Sequence, residues 1–120
     1  MTNARDFLKR LVDLRLLPTA DAQAVSNALT VGANGPRLAK ELRDRNLVTE
    51  FQAEAIGRGQ PEKLVYGENG RFICRELLGK GGMGRDYKAW QGSLKRWVAL
   101  KTIGRLGVKH RLGVRLRSTD

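Results

Sequence analysis

The chain has 120 residues, 41% of them hydrophobic, with 23 Lys and Arg against 12 Asp and Glu and a net charge of +11. This length suffices for one compact domain or two very small ones, and no apolar run approaches the ~18 residues that a membrane helix needs. Residues 61–120 carry fourteen basic and five acidic side chains, whereas residues 1–60 carry nine and seven. We therefore expect the second half to attract polyanions.

The first 58 residues predict a small helical module. Apolar residues recur at helical spacing from Ala4 onward, and four helices are predicted. Their boundary signals are Pro18 after the first helix, Thr19 as a cap of the second, Pro36 at the start of the third, and a Thr49–Gln52 capping box on the fourth. The leucine and phenylalanine stripes of this module are expected to form its core, and the binding of a protein partner is its alternative role.

Residues 59–70 predict a linker, because Gly, Pro and polar residues cluster there. Beyond it, aromatic and apolar residues cluster without a helical stripe, which predicts three strands at about 71–78, 85–91 and 96–103. The predicted fold is therefore α+β, a helical module followed by an incomplete three-stranded antiparallel sheet, with its second turn at Gly92 and Ser93.

The tail at 104–120 is basic and irregular. Between Gly104 and Arg117 it holds three glycines and five Lys or Arg, and it shows neither a helical stripe nor clean alternation. We expect this tail to be largely disordered. Its abrupt change of character suggests a truncated or frame-altered product.

Two motifs in residues 71–103 point to chemistry. The first is the glycine-rich segment Leu78-Gly79-Lys80-Gly81-Gly82-Met83-Gly84, and the second is Val98-Ala99-Leu100-Lys101. Gly79, Gly81 and Gly84 follow the pattern G-x-G-x-x-G, in which glycine is needed because the backbone must turn tightly with positive φ and approach phosphate oxygens without a Cβ in the way.

Other phosphate-binding motifs match this segment less well. A dinucleotide-binding turn lies between a strand and a helix and is followed by an acidic residue about twenty positions on, but no acidic residue occurs from Gln91 to Arg117. A P-loop ends in Gly-Lys-Ser/Thr, and Gly84-Arg85-Asp86 does not supply that ending.

The two motifs together, with Tyr87-Lys88-Ala89 between them, resemble the start of bacterial-type Ser/Thr protein kinases. The helical stretch from Leu38 to Ala53 is similar to a segment that precedes the kinase domain in many planctomycete members. By this resemblance, residues 71–103 are part of a kinase upper lobe that binds ATP. The implied nucleotide contacts are Leu78, Gly79, Lys80, Gly81, Gly82, Met83 and Gly84 over the phosphates, Lys101 on the α- and β-phosphates, and Ala99 against the adenine.

The sequence departs from this family at two levels. Asp86 stands two residues after the third glycine, where kinases usually have valine, and a carboxylate there would repel phosphates. Intact relatives transfer the γ-phosphate of Mg-ATP to Ser or Thr using an Asp and an Asn that hold Mg²⁺ and a further catalytic Asp. Neither His-Arg-Asp nor Asp-Phe-Gly occurs in these 120 residues, so we expect no catalytic residue, no metal ligand and no phosphoryl transfer by the chain alone.

A nucleic-acid role is a further alternative. Trp90 and Trp97 lie among Lys88, Lys95 and Arg96 and could stack on bases, but no zinc-finger, helix-turn-helix or RRM signature is present, so no specific nucleic acid is expected as a partner.

The cysteine content bears on location. A single cysteine, Cys74, excludes an internal disulfide and fits a reducing cytoplasm.

Overall fold

The chain forms two compact units, Met1–Leu64 and Val65–Asp120. The computed structural model describes residues 4–29, 34–67, 71–81, 84–103 and 111–116. The first unit is helical and the second is an antiparallel sheet, so the predicted α+β class is confirmed. The division between the units falls at residue 64, within the stretch that the sequence marks as a linker.

The described part of the first unit contains four α-helices and a short 3₁₀ helix. These are α1 (Ala4–Asp13), α2 (Thr19–Ala28), α3 (Gly35–Asp44), α4 (Glu50–Gly57) and the 3₁₀ helix η1 (Pro61–Leu64). The helices bury their apolar stripes against one another, and the most buried side chains are Leu11, Val25, Leu38, Leu42, Ile56 and Leu64. Arg10 on α1 forms an ion pair with Glu62 on η1.

The ends of these helices mostly follow the sequence signals. The capping box on α4 is confirmed, since Gln52 N donates to Thr49 Oγ1 at 3.1 Å and Thr49 N donates to Gln52 Oε1 at 3.0 Å. The prediction that Thr19 caps α2 is wrong. Pro18 holds the cap position with φ −63° and ψ 150°, because its ring fixes φ in an extended conformation that leads directly into the helix, and Thr19 is the first helical residue.

The second unit is a sheet of five strands in the described residues, in chain order and antiparallel throughout. The strands are β1 (Val65–Tyr66), β2 (Phe72–Gly81), β3 (Gly84–Gln91), β4 (Arg96–Ile103) and β5 (Arg111–Leu116). The three predicted strands are present as β2, β3 and β4, and the turn between β3 and β4 comprises residues 92–95.

The predicted sheet lacked two of these strands, and the prediction of a disordered tail is wrong over residues 111–116. β5 pairs with β4 from Ile103↔Arg111 to Val98↔Leu116. The free edge of β4 offers a row of backbone donors and acceptors, and β5 satisfies them. Residues 104–110 and 117–120 of the predicted tail lie outside the described residues.

The three central strands place different residues on their two faces. We call one the core face, with buried Cys74, Tyr87, Ala89, Val98, Leu100 and Thr102. We call the other the charged face, with Glu76, Asp86, Lys88, Trp90, Trp97, Ala99 and Lys101. Side chains alternate between faces along a strand and cross-strand partners share a face, so the ladder register decides which charged groups are neighbours.

Candidate functional site

The glycine-rich segment forms the hairpin between β2 and β3. Gly81 pairs with Gly84 across it, and the two residues between them, Gly82 and Met83, lie outside the described residues. The ladder between β2 and β3 shifts register at Arg75 and at Leu78. Such bulges bend a strand and re-aim the side chains beside them. Leu78, an expected nucleotide contact, is 49% exposed at the second of them.

Nothing in the described part of the fold requires glycine at positions 79 and 81. Neither residue has positive φ, so the expectation that a left-handed turn requires glycine at these two positions is wrong. Both lie in extended strand backbone, since β2 continues to Gly81. Among the described residues, an added Cβ would meet nothing within 4 Å at Gly79, and only the Gly84 carbonyl oxygen at 4.0 Å at Gly81. The described part of the fold therefore leaves space beside both residues for another molecule.

One row of the sheet brings the two sequence motifs together. Gly79 on β2 pairs with Asp86 on β3, and Asp86 pairs in turn with Lys101 on β4. Lys101 is exposed, so its ammonium group is available to an anion. Ala99 lies two residues before Lys101 and shares its face of the sheet. The glycine segment and the lysine strand, distant in sequence, thus border the same surface.

Asp86 differs from its neighbours in this row because part of its carboxylate is enclosed. Its Oδ1 atom is buried and has no hydrogen-bond partner among the described residues. An ionised oxygen removed from water without a partner is unfavourable. The carboxylate is therefore an acceptor that a donor or a cation could satisfy.

The neighbouring glycine-segment residues complete the hairpin. Lys80 pairs with Arg85 across the two strands, and both are exposed. Thr102, buried on the core face, donates from Oγ1 to the Arg85 carbonyl oxygen at 3.3 Å. This hydrogen bond adds a side-chain link between β3 and β4 beside the row of Asp86 and Lys101.

A cluster of aromatic and basic side chains occupies the far end of the charged face. Trp90 and Trp97 are cross-strand partners with ring centroids 4.9 Å apart at 63°. Lys88 Nζ lies 4.8 Å and Arg75 Cζ 5.9 Å from the centroid of the Trp97 ring. Burial lowers the pKa of Arg75. Sequence reasoning grouped the two tryptophans with Lys88, but it missed Arg75 on β2.

The core face holds groups that are hard to ionise. Cys74 is fully buried, and burial raises the pKa of its thiol to about 12. The pKa of Tyr66 is also raised, first by burial and then by a hydrogen bond with Tyr87, whose ring centroid lies 5.9 Å away. Neither group adjoins the row of Gly79, Asp86 and Lys101 in the ladder.

The helical unit offers a groove between α3 and α4. Its volume is about 270 Å³, and its walls carry both signs of charge, from Lys40 and Arg43 on α3 and from Glu50 and Glu54 on α4.

Within the part of the chain that the structure describes, no group of three or more His, Cys, Asp or Glu is placed to hold a metal ion. Within the same residues, no helix combines the length and the apolar character required to cross a membrane.

Comparisons with protein-family models, with curated proteins and with solved structures found no match to this chain.

Proposed function

We propose that the sheet of the second unit binds ATP in the manner of the glycine-rich loop and strand lysine of Ser/Thr protein kinases. The proposal for these 120 residues is nucleotide binding. In kinases, carboxylates hold magnesium and accept the substrate proton. The His-Arg-Asp and Asp-Phe-Gly motifs that would supply them do not occur in this sequence.

The observation that carries the proposal is the row Gly79–Asp86–Lys101 across three strands. A phosphate group needs a cation and a backbone it can approach closely, and this row supplies the backbone on β2 and the cation on β4, on either side of β3. Ala99 lies one step further along the same face, where a small apolar side chain leaves room for a flat base.

The glycines provide independent support. Glycine in a strand interior weakens the strand, and it often marks a place where a ligand approaches the backbone. Since an added Cβ at Gly79 or Gly81 would clash with none of the described residues, packing within that part of the fold does not explain why glycine stands at these positions. A ligand lying over the hairpin would.

The donor set fits a phosphate chain, with one exception. Lys101 and the open hairpin favour an anion, and the positive charge of the second half of the chain, fourteen basic against five acidic residues, would draw ATP toward it. The exception is Asp86, whose negative charge would repel the phosphates. ATP as the ligand and a single cysteine are both consistent with a cytoplasmic protein.

Calorimetric titration of the purified full-length chain with Mg-ATP tests this proposal. Saturable binding is expected, and Lys101→Ala should weaken it about tenfold or more, because a hydrogen bond to a charged group contributes about 1.5–3 kcal/mol. Lys9→Ala is the matched control, since it removes one positive charge from an exposed position on α1. If both variants weakened binding equally, net charge and not the position of Lys101 would explain the effect. If the unaltered chain bound no Mg-ATP, the proposal would be overturned.

A further inference from the structure

The carboxylate of Asp86 lies between the glycine segment and Lys101, the two places where a phosphate chain is proposed to bind. Asp86 is the ladder partner of Gly79 on one side and of Lys101 on the other. A ligand that spans the hairpin and the lysine must therefore pass over Asp86. The buried Oδ1 atom has no hydrogen-bond partner among the described residues.

We propose, building on the nucleotide-binding function above, that Asp86 makes this site selective for the magnesium complex of ATP over the free nucleotide. Free ATP carries more negative charge than its magnesium complex, and like charges at short range repel strongly where water is partly excluded. A divalent cation between the phosphates and Asp86 reverses the sign of that interaction. Magnesium is commonly bound in this way, by one or two carboxylates together with substrate phosphates.

Because it is partly buried, Asp86 should act on the charge of a bound nucleotide more strongly than the exposed acidic residue on the same face. Glu76 is also on the charged face, where it pairs with Lys88, but it is exposed. Water and salt screen an exposed charge, whereas a partly buried one is screened much less. Selectivity for the magnesium complex should therefore depend on Asp86 and hardly on Glu76.

The test compares two calorimetric titrations of the full-length chain at constant ionic strength, ATP with excess Mg²⁺ and ATP with EDTA. The readout is the ratio of the two dissociation constants. The ratio for the unaltered chain should favour Mg-ATP, and Asp86→Asn should reduce that preference about tenfold, chiefly by tightening the binding of free ATP. Glu76→Gln removes the same charge and should leave the ratio within about twofold.

Asp86→Val guards against a folding defect in the first variant, because a β-branched side chain suits a strand; it should reduce the preference as Asp86→Asn does. An unchanged ratio in Asp86→Asn and Asp86→Val, with ATP still bound, would overturn the role of Asp86 and leave the nucleotide site standing. An equal fall in Glu76→Gln would also overturn it, since net charge would then explain the result. Failure of every variant and of the unaltered chain to bind ATP would overturn both proposals.

Discussion

Trp90 on β3 and Trp97 on β4 are cross-strand partners whose ring centroids lie 4.9 Å apart at 63°. This edge-to-face arrangement directs the positive edge of one ring to the negative face of the other. Lys88 and Arg75 add cations within 6 Å of the Trp97 centroid. One ring thus connects residues of β2, β3 and β4, and these two are the only tryptophans of the chain.

Replacement of Trp97 should destabilise the sheet. Trp97→Ala removes an aromatic pair and two cation–π contacts, which together contribute about 2 kcal/mol to the free energy of unfolding. Urea unfolding followed by tryptophan fluorescence measures this, because both tryptophans of the chain lie in the sheet. Trp97→Phe keeps an aromatic ring and should lose less than half as much. A Trp97→Ala midpoint equal to that of the unaltered chain would contradict the structural role of the cluster.

The glycine positions allow stability and ligand binding to be separated. Gly79→Ala and Gly81→Ala should leave the free energy of unfolding unchanged or raise it by about 0.5 kcal/mol, since an added Cβ finds open space among the described residues. Affinity for Mg-ATP should nevertheless fall about tenfold, because the new methyl group occupies the space of the ligand. Calorimetry and urea unfolding on the same samples give the two quantities.

Gly67→Ala is the matched control for those variants. Gly67 has φ +82°, and a Cβ there would lie 3.1 Å from Phe72 Cδ2, so this change should cost about 1–2 kcal/mol of stability with no direct effect on ATP affinity. If alanine at positions 79 and 81 lowered the free energy of unfolding as much as Gly67→Ala does, glycine at those positions would serve the fold instead of a ligand.

Cys74 should make the protein lose stability at alkaline pH. Below about pH 9 its thiol is protonated in both the folded and the unfolded chain, and it has no effect on the pH dependence. Between about pH 9 and pH 12 the unfolded chain loses this proton while the buried thiol keeps it, because burial raises its folded pKa to about 12. The unfolded state then binds fewer protons, so stability falls by at most about 1.4 kcal/mol per pH unit.

Urea unfolding at intervals from pH 8 to about pH 10 measures that slope. Cys74→Ala should flatten it, although the smaller side chain lowers stability at every pH. Tyr66, whose pKa is also raised, adds a loss of the same sign only above its ordinary pKa of 10.0. A slope that persists unchanged in Cys74→Ala below pH 10 would assign the effect to another group.

The parts of the fold that sequence reasoning captured are those fixed by local signals. The Thr49–Gln52 box specifies the start of α4 within four residues, and the bounds of β3 and β4 follow from glycines and a turn at their ends. β5 was missed because its pairing with β4 is long-range. The alternation of Leu112, Val114 and Leu116 with charged residues and glycine was nevertheless a strand signal, obscured by the glycines around it.

The candidate site was captured less completely. Sequence spacing identified Gly79 and Lys101 as members of one motif, but only the ladder register makes them the two neighbours of Asp86. That register depends on bulges at Arg75 and Leu78, and an extra residue in one strand inverts the faces of all residues beyond it. Neither bulge has a signature in the residue pattern, so the enclosed carboxylate could not be foreseen.

The capping box on α4 permits a test of how far one local signal stabilises the helical unit. Thr49→Ala removes the side-chain oxygen that accepts a hydrogen bond from the backbone N–H of Gln52. This change should lower the free energy of unfolding by about 1 kcal/mol. Gln52→Ala should cost at least as much, because its side chain is also buried. Since the two side chains act reciprocally, the double variant should lose less than the sum of the single changes, as judged by thermal unfolding followed by far-UV circular dichroism.

Thr19→Ala serves as the control for this cycle. Thr19 is the first residue of α2, and Pro18 holds the cap position there, so the change should alter stability by less than about 0.5 kcal/mol. Additive losses at Thr49 and Gln52 would show that the two hydrogen bonds act independently. If Thr19→Ala lowered stability as much as Thr49→Ala, Thr19 would be the residue that caps α2, as its sequence position suggests. Pro18 would then precede the cap.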